Sequence, residues 1–114
     1  MRRRRSNGPR EDEGAVETKR VGHALIVRVS GDLTLSTFDE FERAVRQAID
    51  GRRVDVVLDL GAVRFIDSTG LRSLIRLANQ SRGAGRKLRV RTASAPVRQA
   101  IEWGGLQRLL PLAA

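Results

Sequence analysis

The sequence predicts a single α/β domain with a four- to five-stranded mixed sheet and three main helices, in the order β-β-α-β-α-β-α. Three observations predict it. Short runs rich in branched aliphatic residues alternate with segments of helical periodicity. The length of 114 residues suits one domain. The apolar content of 40% is enough for a packed core.

Four segments are predicted strands, because they are rich in branched aliphatic residues or alternate between apolar and polar ones. They are residues 15–20, 24–30 (ALIVRVS), 54–60 (VDVVLDL) and 87–92 (KLRVRT). Residues 21–23 form a tight turn, and Gly31 is expected to end the second strand. The near-continuous apolar run 54–60 predicts a central strand covered on at least one face, followed by a connection over 61–66.

Three segments carry apolar residues at helical spacing. Ser36, with Asp39 three residues on, predicts an N-terminal cap for the first helix, and Gly51 ends it. Side chains of residues 67–69 are expected to cap the second helix, and Ser94 the third. The predicted core stripes are Phe38, Phe41, Val45, Ala48 and Ile49; then Leu71, Leu74, Ile75 and Ala78; then Val97, Ala100 and Ile101.

The net charge of +9 is divided between two regions. Residues 1–14 contain five arginines and three acidic residues without apolar periodicity, which predicts a disordered basic N-terminal tail. The predicted domain, residues 15–114, contains 17 basic and 10 acidic residues. A basic surface favours an acidic partner, and a basic nucleic-acid-binding protein is one alternative. Four aromatic residues offer no stacking platform, so direct nucleic-acid binding is not expected.

Several kinds of site are not expected. The chain has no cysteine and a single histidine, His23, which excludes thiol chemistry and any site that needs two imidazoles. There is no nucleophile elbow, and the glycine-rich segment 83–87 follows a predicted helix instead of preceding one. We therefore expect no catalysis, no cofactor and no metal. With no apolar leader after Arg2–Arg5 and no run near 20 apolar residues, we expect a cytoplasmic protein without membrane contact.

The segment 58–71 (LDLGAVRFIDSTGL) is the strongest candidate for a functional site. A buried strand leads to Ser68 at the start of a helix, on the side where strands of an open α/β sheet carry their functional loops. Two roles for the Ser68 hydroxyl remain open. It can cap the helix. It can also accept a phosphate, which the free N–H groups and the positive helix end would favour.

The run V-V-L-D-L-G-A-V-R-F-I-D-S-T-G-L resembles the signature of STAS domains, and in particular that of bacterial anti-sigma factor antagonists. Three further pieces resemble the family in order and spacing. They are Gly31-Asp32-Leu33, Ser94-Ala95-Pro96-Val97, and Gly104-Gly105-Leu106 followed by Leu109-Leu110. The resemblance covers residues 15–112.

The resemblance implies a phosphorylation switch at Ser68, with Thr69 as the alternative acceptor. In such proteins the unmodified form binds an anti-sigma factor, usually also a serine kinase, and so frees the sigma factor. Phosphorylation breaks that contact, and a serine phosphatase restores it. A related alternative is a STAS subunit of a stress-signalling or lipid-transport assembly. We expect a monomer or weak dimer.

The predicted docking surface combines three loops at one end of the sheet, residues 32–36, 64–70 and 94–96. It extends along the polar face of the second helix, which carries Thr69, Arg72, Ser73 and Arg76. Arg72 and Arg76 are equally consistent with ordinary solvated charge. Leu33, Phe65 and Ile66 are either interface anchors or core residues, and Trp103 is expected to pack. The predicted partner-binding residues are Asp32, Leu33, Thr34, Ser36, Arg64, Asp67, Ser68, Thr69, Gly70, Arg72, Arg76, Ser94 and Pro96.

Overall fold

The computed structural model describes residues 15–51 and 53–112, so the predicted tail over residues 1–14 lies outside the described residues. Within them, strands and helices follow the predicted order, which confirms the α/β fold class. The strands are β1 Ala15–Val21, β2 Ala24–Leu33, β3 Asp55–Ile66 and β4 Leu88–Ala93. The helices are α1 Phe38–Ile49, α2 Ser68–Gly83 and α3 Ala95–Trp103.

The strands form one mixed sheet in the order β1-β2-β3-β4. β1 runs antiparallel to β2, whereas β2, β3 and β4 are parallel to one another. These three strands therefore all begin at one edge of the sheet and end at the other. We call these the amino edge and the carboxyl edge.

A single core lies between the sheet and the three helices. In β2, Leu25, Val27 and Val29 are buried against the helices, while Arg28 between them is exposed. Apolar and polar side chains alternate in this way along much of β2 and β4, because the helices cover one face of the sheet. The central β3 differs, since Val57 is buried as well as its neighbours Val56 and Leu58. None of the helices described within residues 15–112 is both long and apolar enough to span a bilayer.

The uncovered face carries a ladder of opposite charges across the four strands. Glu17 lies opposite Arg28, which lies opposite Asp59 on the next strand. The Arg91 guanidinium donates to Asp59 Oδ2 at 3.0 Å. Opposite charges on neighbouring strands stabilise the pairing, so this solvated face supports the sheet.

Two strands, β2 and β3, extend several residues beyond their predicted ends. The expected end of β2 at Gly31 and the expected connection over 61–66 are wrong, because residues 30–33 pair with residues 62–66. Two irregularities in this register let the ladder continue, and Gly31 adopts a φ of +75° within it. The apolar pattern stops where the sheet becomes irregular, whereas the backbone pairing continues.

The predicted cap of α1 is also wrong. The helix begins at Phe38 with Thr37 at the N-cap position, and no side chain caps it. The Thr37 hydroxyl donates to the Asp32 carbonyl at 2.9 Å and accepts the Thr34 N–H at 2.9 Å. Ser36 is left exposed. The hydroxyl thus ties the loop back to the end of β2.

Among the residues left open between anchor and core, Leu33 is core at 1% exposure, Ile66 is half-buried against the core, and Phe65 is 53% exposed. The expectation that Trp103 packs is wrong, since it is 83% exposed.

After α3 the chain returns along the sheet, and Leu112 forms an isolated parallel bridge with Val90 beside β4.

Candidate functional site

The loops that follow β2 and β3 are joined at the carboxyl edge. Leu33 and Ile66, the last residues of the two strands, are register partners. The Leu35 N–H donates to Asp67 Oδ2 at 3.1 Å, and the Asp67 N–H reaches the Leu33 carbonyl at 3.4 Å. Two of the three predicted docking loops therefore form one surface around Asp67.

Asp67, and not Ser68, caps α2. Asp67 is the N-cap residue with extended backbone, and its Oδ1 accepts the Gly70 N–H at 2.8 Å. One carboxylate thus holds both the helix start and the β2–α1 loop. The capping role that remained open for Ser68 is excluded by this geometry.

Ser68 occupies the first helical position and is exposed. None of the hydrogen bonds among residues 15–51 and 53–112 uses its hydroxyl or its N–H, nor the N–H of the half-buried Thr69. The hydroxyl is therefore free to be modified, and two uncommitted N–H groups of the first turn lie next to it.

Gly70 sets how closely α2 approaches β2. It is buried, and a Cβ at this position would lie 1.9 Å from the Leu33 carbonyl oxygen and 3.1 Å from Ile66 Cγ1. A side chain here would push the helix away from the strand end. Gly70 and the buried Leu33 therefore lie beneath the predicted surface, and neither contributes an exposed side chain to it.

Asp32 and Arg64 form an ion pair on the strand ends that carry the two loops. Arg64 Nη2 lies 3.4 Å from Asp32 Oδ1, and the Arg64 side chain is 55% exposed. Asp32 Oδ1 is itself buried and accepts no hydrogen bond among the described residues. The contact is thus electrostatic, and the guanidinium remains available to a second acceptor.

The two arginines predicted on α2 differ in their surroundings. Arg76 is paired with Glu42 of α1, whose Oε2 also accepts the buried Ser73 hydroxyl at 2.6 Å. Ser73, expected on the polar face, is 1% exposed and faces α1. Arg72 is exposed and enters no hydrogen bond or ion pair within the described residues. Arg72 lies one turn from Ser68, on the same side of the helix.

The third predicted loop is set back from the other two. The Ser94 N–H donates to the Leu60 carbonyl at 3.0 Å, six residues before β3 ends. At about 3.3 Å per strand residue, this separates Ser94 from Ile66 by roughly 20 Å along the strand. Pro96 is half-buried in the first turn of α3. The prediction that the Ser94 side chain caps this helix is wrong, because Ser94 holds the N-cap position but its hydroxyl is buried without a partner among the described residues.

The sequence did not predict Leu35 as part of this surface, and it left open whether Phe65 belongs to the surface or to the core. Leu35 is 69% exposed beside Asp67, and Phe65 is 53% exposed on the adjoining strand end. Large apolar side chains in solvent next to charged groups are typical of protein-binding surfaces. The signal for Leu35 was its position between polar loop residues, outside any helical or strand periodicity.

Within the described ranges, no three His, Cys, Asp or Glu side chains come together as metal ligands would. A shifted carboxyl pKa is found elsewhere, on the open sheet face. There the Thr92 hydroxyl and the Arg91 guanidinium bind Asp59 and hold the pKa of its carboxyl below the usual value, against the opposing effect of burial.

The chain is similar in sequence and in fold to proteins of one known family. The family model described as "Mlab, STAS domain" matches residues 16–111. The chain is 33% identical over 92 residues to the anti-sigma F factor antagonist of Paenibacillus polymyxa, covering 77% of this chain and 76% of that protein. A solved anti-sigma factor antagonist from Mycobacterium paratuberculosis is similar with a TM-score of 0.78 and 26% identity, covering 89% of this chain and 86% of that one.

The Bacillus protein SpoIIAA shares the fold in two solved forms. Its unphosphorylated form has a TM-score of 0.73 at 18% identity, with 88% of this chain and 89% of that one covered. Its phosphorylated form has a TM-score of 0.70 at 17% identity, with 88% and 92% covered. With the matched family model spanning most of the chain, and the resemblance seen in the sequence thereby confirmed, the chain belongs to the STAS domain family.

Proposed function

We propose that this protein is an anti-sigma factor antagonist whose unmodified form binds an anti-sigma factor through the carboxyl edge, releasing the sigma factor. Phosphorylation of Ser68 by a serine kinase, usually the anti-sigma factor itself, ends that binding, and a serine phosphatase restores it. The antagonists among its relatives, named as such, support the class.

The observation that carries the switch is the uncommitted hydroxyl of Ser68. Because Asp67 caps α2, the Ser68 side chain has no structural task within the described residues. Its modification leaves the cap bond at 2.8 Å and the bond to Leu35 in place. Thr69 is half-buried and less accessible to a kinase, which favours Ser68 as the acceptor.

A phosphate on Ser68 changes the surface without disturbing the fold. It adds about −1.5 to −2 charge next to the Asp67 carboxylate. The free N–H groups of the first turn and the exposed Arg72 one turn on can accommodate it. A partner that docks on Leu35, Phe65 and the helix start then meets a doubly charged group where it met a hydroxyl. Like-charge or desolvation costs of this kind break interfaces.

The test is phosphorylation of the full chain by its cognate anti-sigma kinase with ATP, followed by mass spectrometry of the peptide that contains Ser68 and Thr69. We expect one phosphate on Ser68, none in a Ser68→Ala variant, and unchanged labelling of Thr69→Val. Modification of neither residue would overturn the switch.

Binding is tested separately with Ser68→Asp. We expect its affinity for the unphosphorylated protein's partner to fall at least about tenfold, since an uncompensated charge at an interface costs a kcal/mol or more. The urea midpoint should stay level or rise slightly, because an acidic side chain in the first turn suits the helix dipole. Full retention of affinity would contradict the proposed mechanism.

A further inference from the structure

The amino edge of the sheet, opposite the Ser68 site, is strongly basic. Five cationic side chains line one surface cavity of about 590 Å³ there, and Asp55 is the only acidic residue lining it. The Asp55 carboxylate is engaged locally, since its Oδ1 accepts the Lys87 N–H at 3.1 Å. The cations, which we call the amino-edge cluster, are Arg82, Arg86, Lys87, Arg89 and Arg108.

Fold stability does not account for the whole of this cluster. A cation at a helix C-terminus is favoured by the helix dipole, and this explains Arg82 in the last turn of α2. Lys87, Arg89 and Arg108 lie outside the helices. Clustered like charges repel one another and destabilise a compact state. Their concentration on one edge therefore indicates a negatively charged binding partner.

Two large apolar side chains are exposed at the same edge. Val21, 52% exposed, ends β1 and is the register partner of Ala24 at the start of β2. Trp103, 83% exposed, ends α3. That helix leaves the sheet beside Leu60 and is 9 residues long, so it spans about 14 Å back toward the amino edge. The basic cavity itself is also lined by apolar side chains, among them Leu88 and Leu109.

From this combination we propose that the amino edge binds the surface of anionic phospholipid membranes. The basic side chains would meet phosphate headgroups, and Trp103 would enter the interfacial layer where indole rings are favoured. We expected no membrane contact because the sequence holds no spanning segment, but surface binding needs none.

The same features favour a membrane over a nucleic acid. Single-stranded nucleic acid is bound by several aromatic side chains along a basic groove. Here Trp103 is the one aromatic residue at the amino edge, since Phe38 and Phe41 belong to α1 near the carboxyl edge and Phe65 lies at that edge itself. An exposed valine adds nothing to phosphate or base contacts, whereas it adds apolar area in a lipid interface.

The chain provides its own probe, because Trp103 is its only tryptophan and it has no tyrosine. We would titrate the full chain with vesicles of phosphatidylcholine, with and without about one third phosphatidylglycerol, and follow tryptophan emission and co-sedimentation. We expect co-sedimentation and a blue shift with anionic vesicles only. Both should vanish between about 0.1 M and about 1 M salt, where the screening length falls from about 10 Å to about 3 Å.

Variants assign the binding to this edge. Lys87→Gln with Arg108→Gln should weaken vesicle binding about 25-fold, at about fivefold for each charge lost. The matched control, Arg43→Gln with Arg98→Gln, removes the same charge from α1 and α3 away from the amino-edge cluster, and should weaken it less than about threefold. A full-length variant with Arg2–Arg5 replaced by glutamine should keep the blue shift.

The proposal is overturned if anionic vesicles do not bind at low salt, or if the two charge pairs have equal effects. It is also overturned if the Arg2–Arg5 variant loses binding, since the tail would then be the anchor. Quenching of Trp103 by an oligonucleotide at concentrations below those needed for vesicle binding would instead assign the edge to nucleic acid. None of these vesicle experiments involves an anti-sigma factor, so a negative result would not contradict the proposed function.

Discussion

Gly70 is the residue whose absence of a side chain matters most to the site. Helix propensity alone predicts that Gly70→Ala stabilises α2 by up to about 1 kcal/mol. The structure predicts the opposite sign, because the added Cβ would meet the Leu33 carbonyl at 1.9 Å. We expect destabilisation of about 1–3 kcal/mol, the range of overpacking, measured as a lower urea midpoint.

Gly83 at the end of the same helix is the matched control. A Cβ there has nothing within 4 Å, so Gly83→Ala should be neutral or stabilising by up to about 1 kcal/mol. Equal effects of the two substitutions would show that α2 can move away from β2 at no cost, and that Gly70 does not set their distance.

The Asp59–Thr92 contact gives the open sheet face a defined dependence on pH. The Thr92 hydroxyl, followed by the Arg91 guanidinium, lowers the pKa of the Asp59 carboxyl in the folded state. A lowered folded-state pKa contributes stability that is fully present above the unfolded value, about 3.9, and is lost as pH falls through the folded value. Thr92→Val should therefore lower the urea midpoint at pH 7, and lower it less at about pH 3.

Thr18→Val, on the exposed β1 strand, removes a hydroxyl that forms no bond among the described residues and is the control for that change. It should shift the midpoint equally little at both pH values. Carboxyl chemical shifts of Asp59, followed by NMR across the acid range, should give a higher pKa in Thr92→Val than in the parent. An unchanged pKa would assign the shift to the Arg91 guanidinium and the Gly61 N–H, and not to the Thr92 hydroxyl.

Local residue chemistry predicted much of the site, but not which residue performs each role. The D-S-T-G run correctly indicated a helix start at a strand end. Capping preferences do not separate an aspartate from the serine after it, because both side chains accept N–H bonds. The structure separates them, because Asp67 accepts the Gly70 N–H and also the N–H of Leu35, 32 residues away in the chain.

At the scale of elements, α1 and α2 are joined by a polar contact that periodicity could not predict. Ser73 is almost fully buried, and its hydroxyl donates to Glu42 at 2.6 Å. When each helix is considered alone, the polar side chains of Glu42 and Ser73 are both expected to face solvent. Only the packing of the two helices shows that they face each other.

This contact predicts a non-additive response. Glu42→Ala leaves the Ser73 hydroxyl buried without an acceptor, which costs about 1–3 kcal/mol. Ser73→Ala in that background removes the orphaned group, so the double variant should be no less stable than Glu42→Ala. Arg43→Ala, on the exposed side of α1, should change stability by less than about 0.5 kcal/mol. A double variant as unstable as the sum of the singles would contradict this account.

The extended strands explain why loop boundaries were predicted less well than the element order. Hydrophobic alternation marks residues that face the core, and it fails where the register between β2 and β3 becomes irregular. The pairing of residues 30–33 with 62–66 is held by backbone bonds across two register shifts. The sequence pattern therefore predicts the core and the start of α2. The positions of the loops depend on backbone pairing, which the pattern does not show.

At the scale of the whole molecule, the fold separates two surfaces of different character. The helices run antiparallel to the parallel strands, so their N-termini gather at the carboxyl edge and their C-termini at the amino edge. The carboxyl edge carries Ser68, the bridging Asp67, and the exposed Leu35 and Phe65. The amino edge carries the amino-edge cluster with Trp103. The net charge alone describes a basic protein, whereas the structure shows two edges that carry different side chains.

The distance between these ends predicts that they act independently. β3 alone has 12 residues, about 36 Å from its first to its last Cα at about 3.3 Å per residue, within a molecule 41 Å in its longest extent. That separation is more than four times the screening length of about 8 Å at physiological salt. Charge added at Ser68 should therefore have no measurable electrostatic effect on binding at the amino edge. Ser68→Asp should change partition onto anionic vesicles by less than about twofold, whereas we expect it to weaken anti-sigma factor binding at least about tenfold. Co-sedimentation of parent and variant at the same salt concentration measures this, and a several-fold change would mean that the two edges are coupled through the sheet or that the membrane contact includes the Ser68 surface.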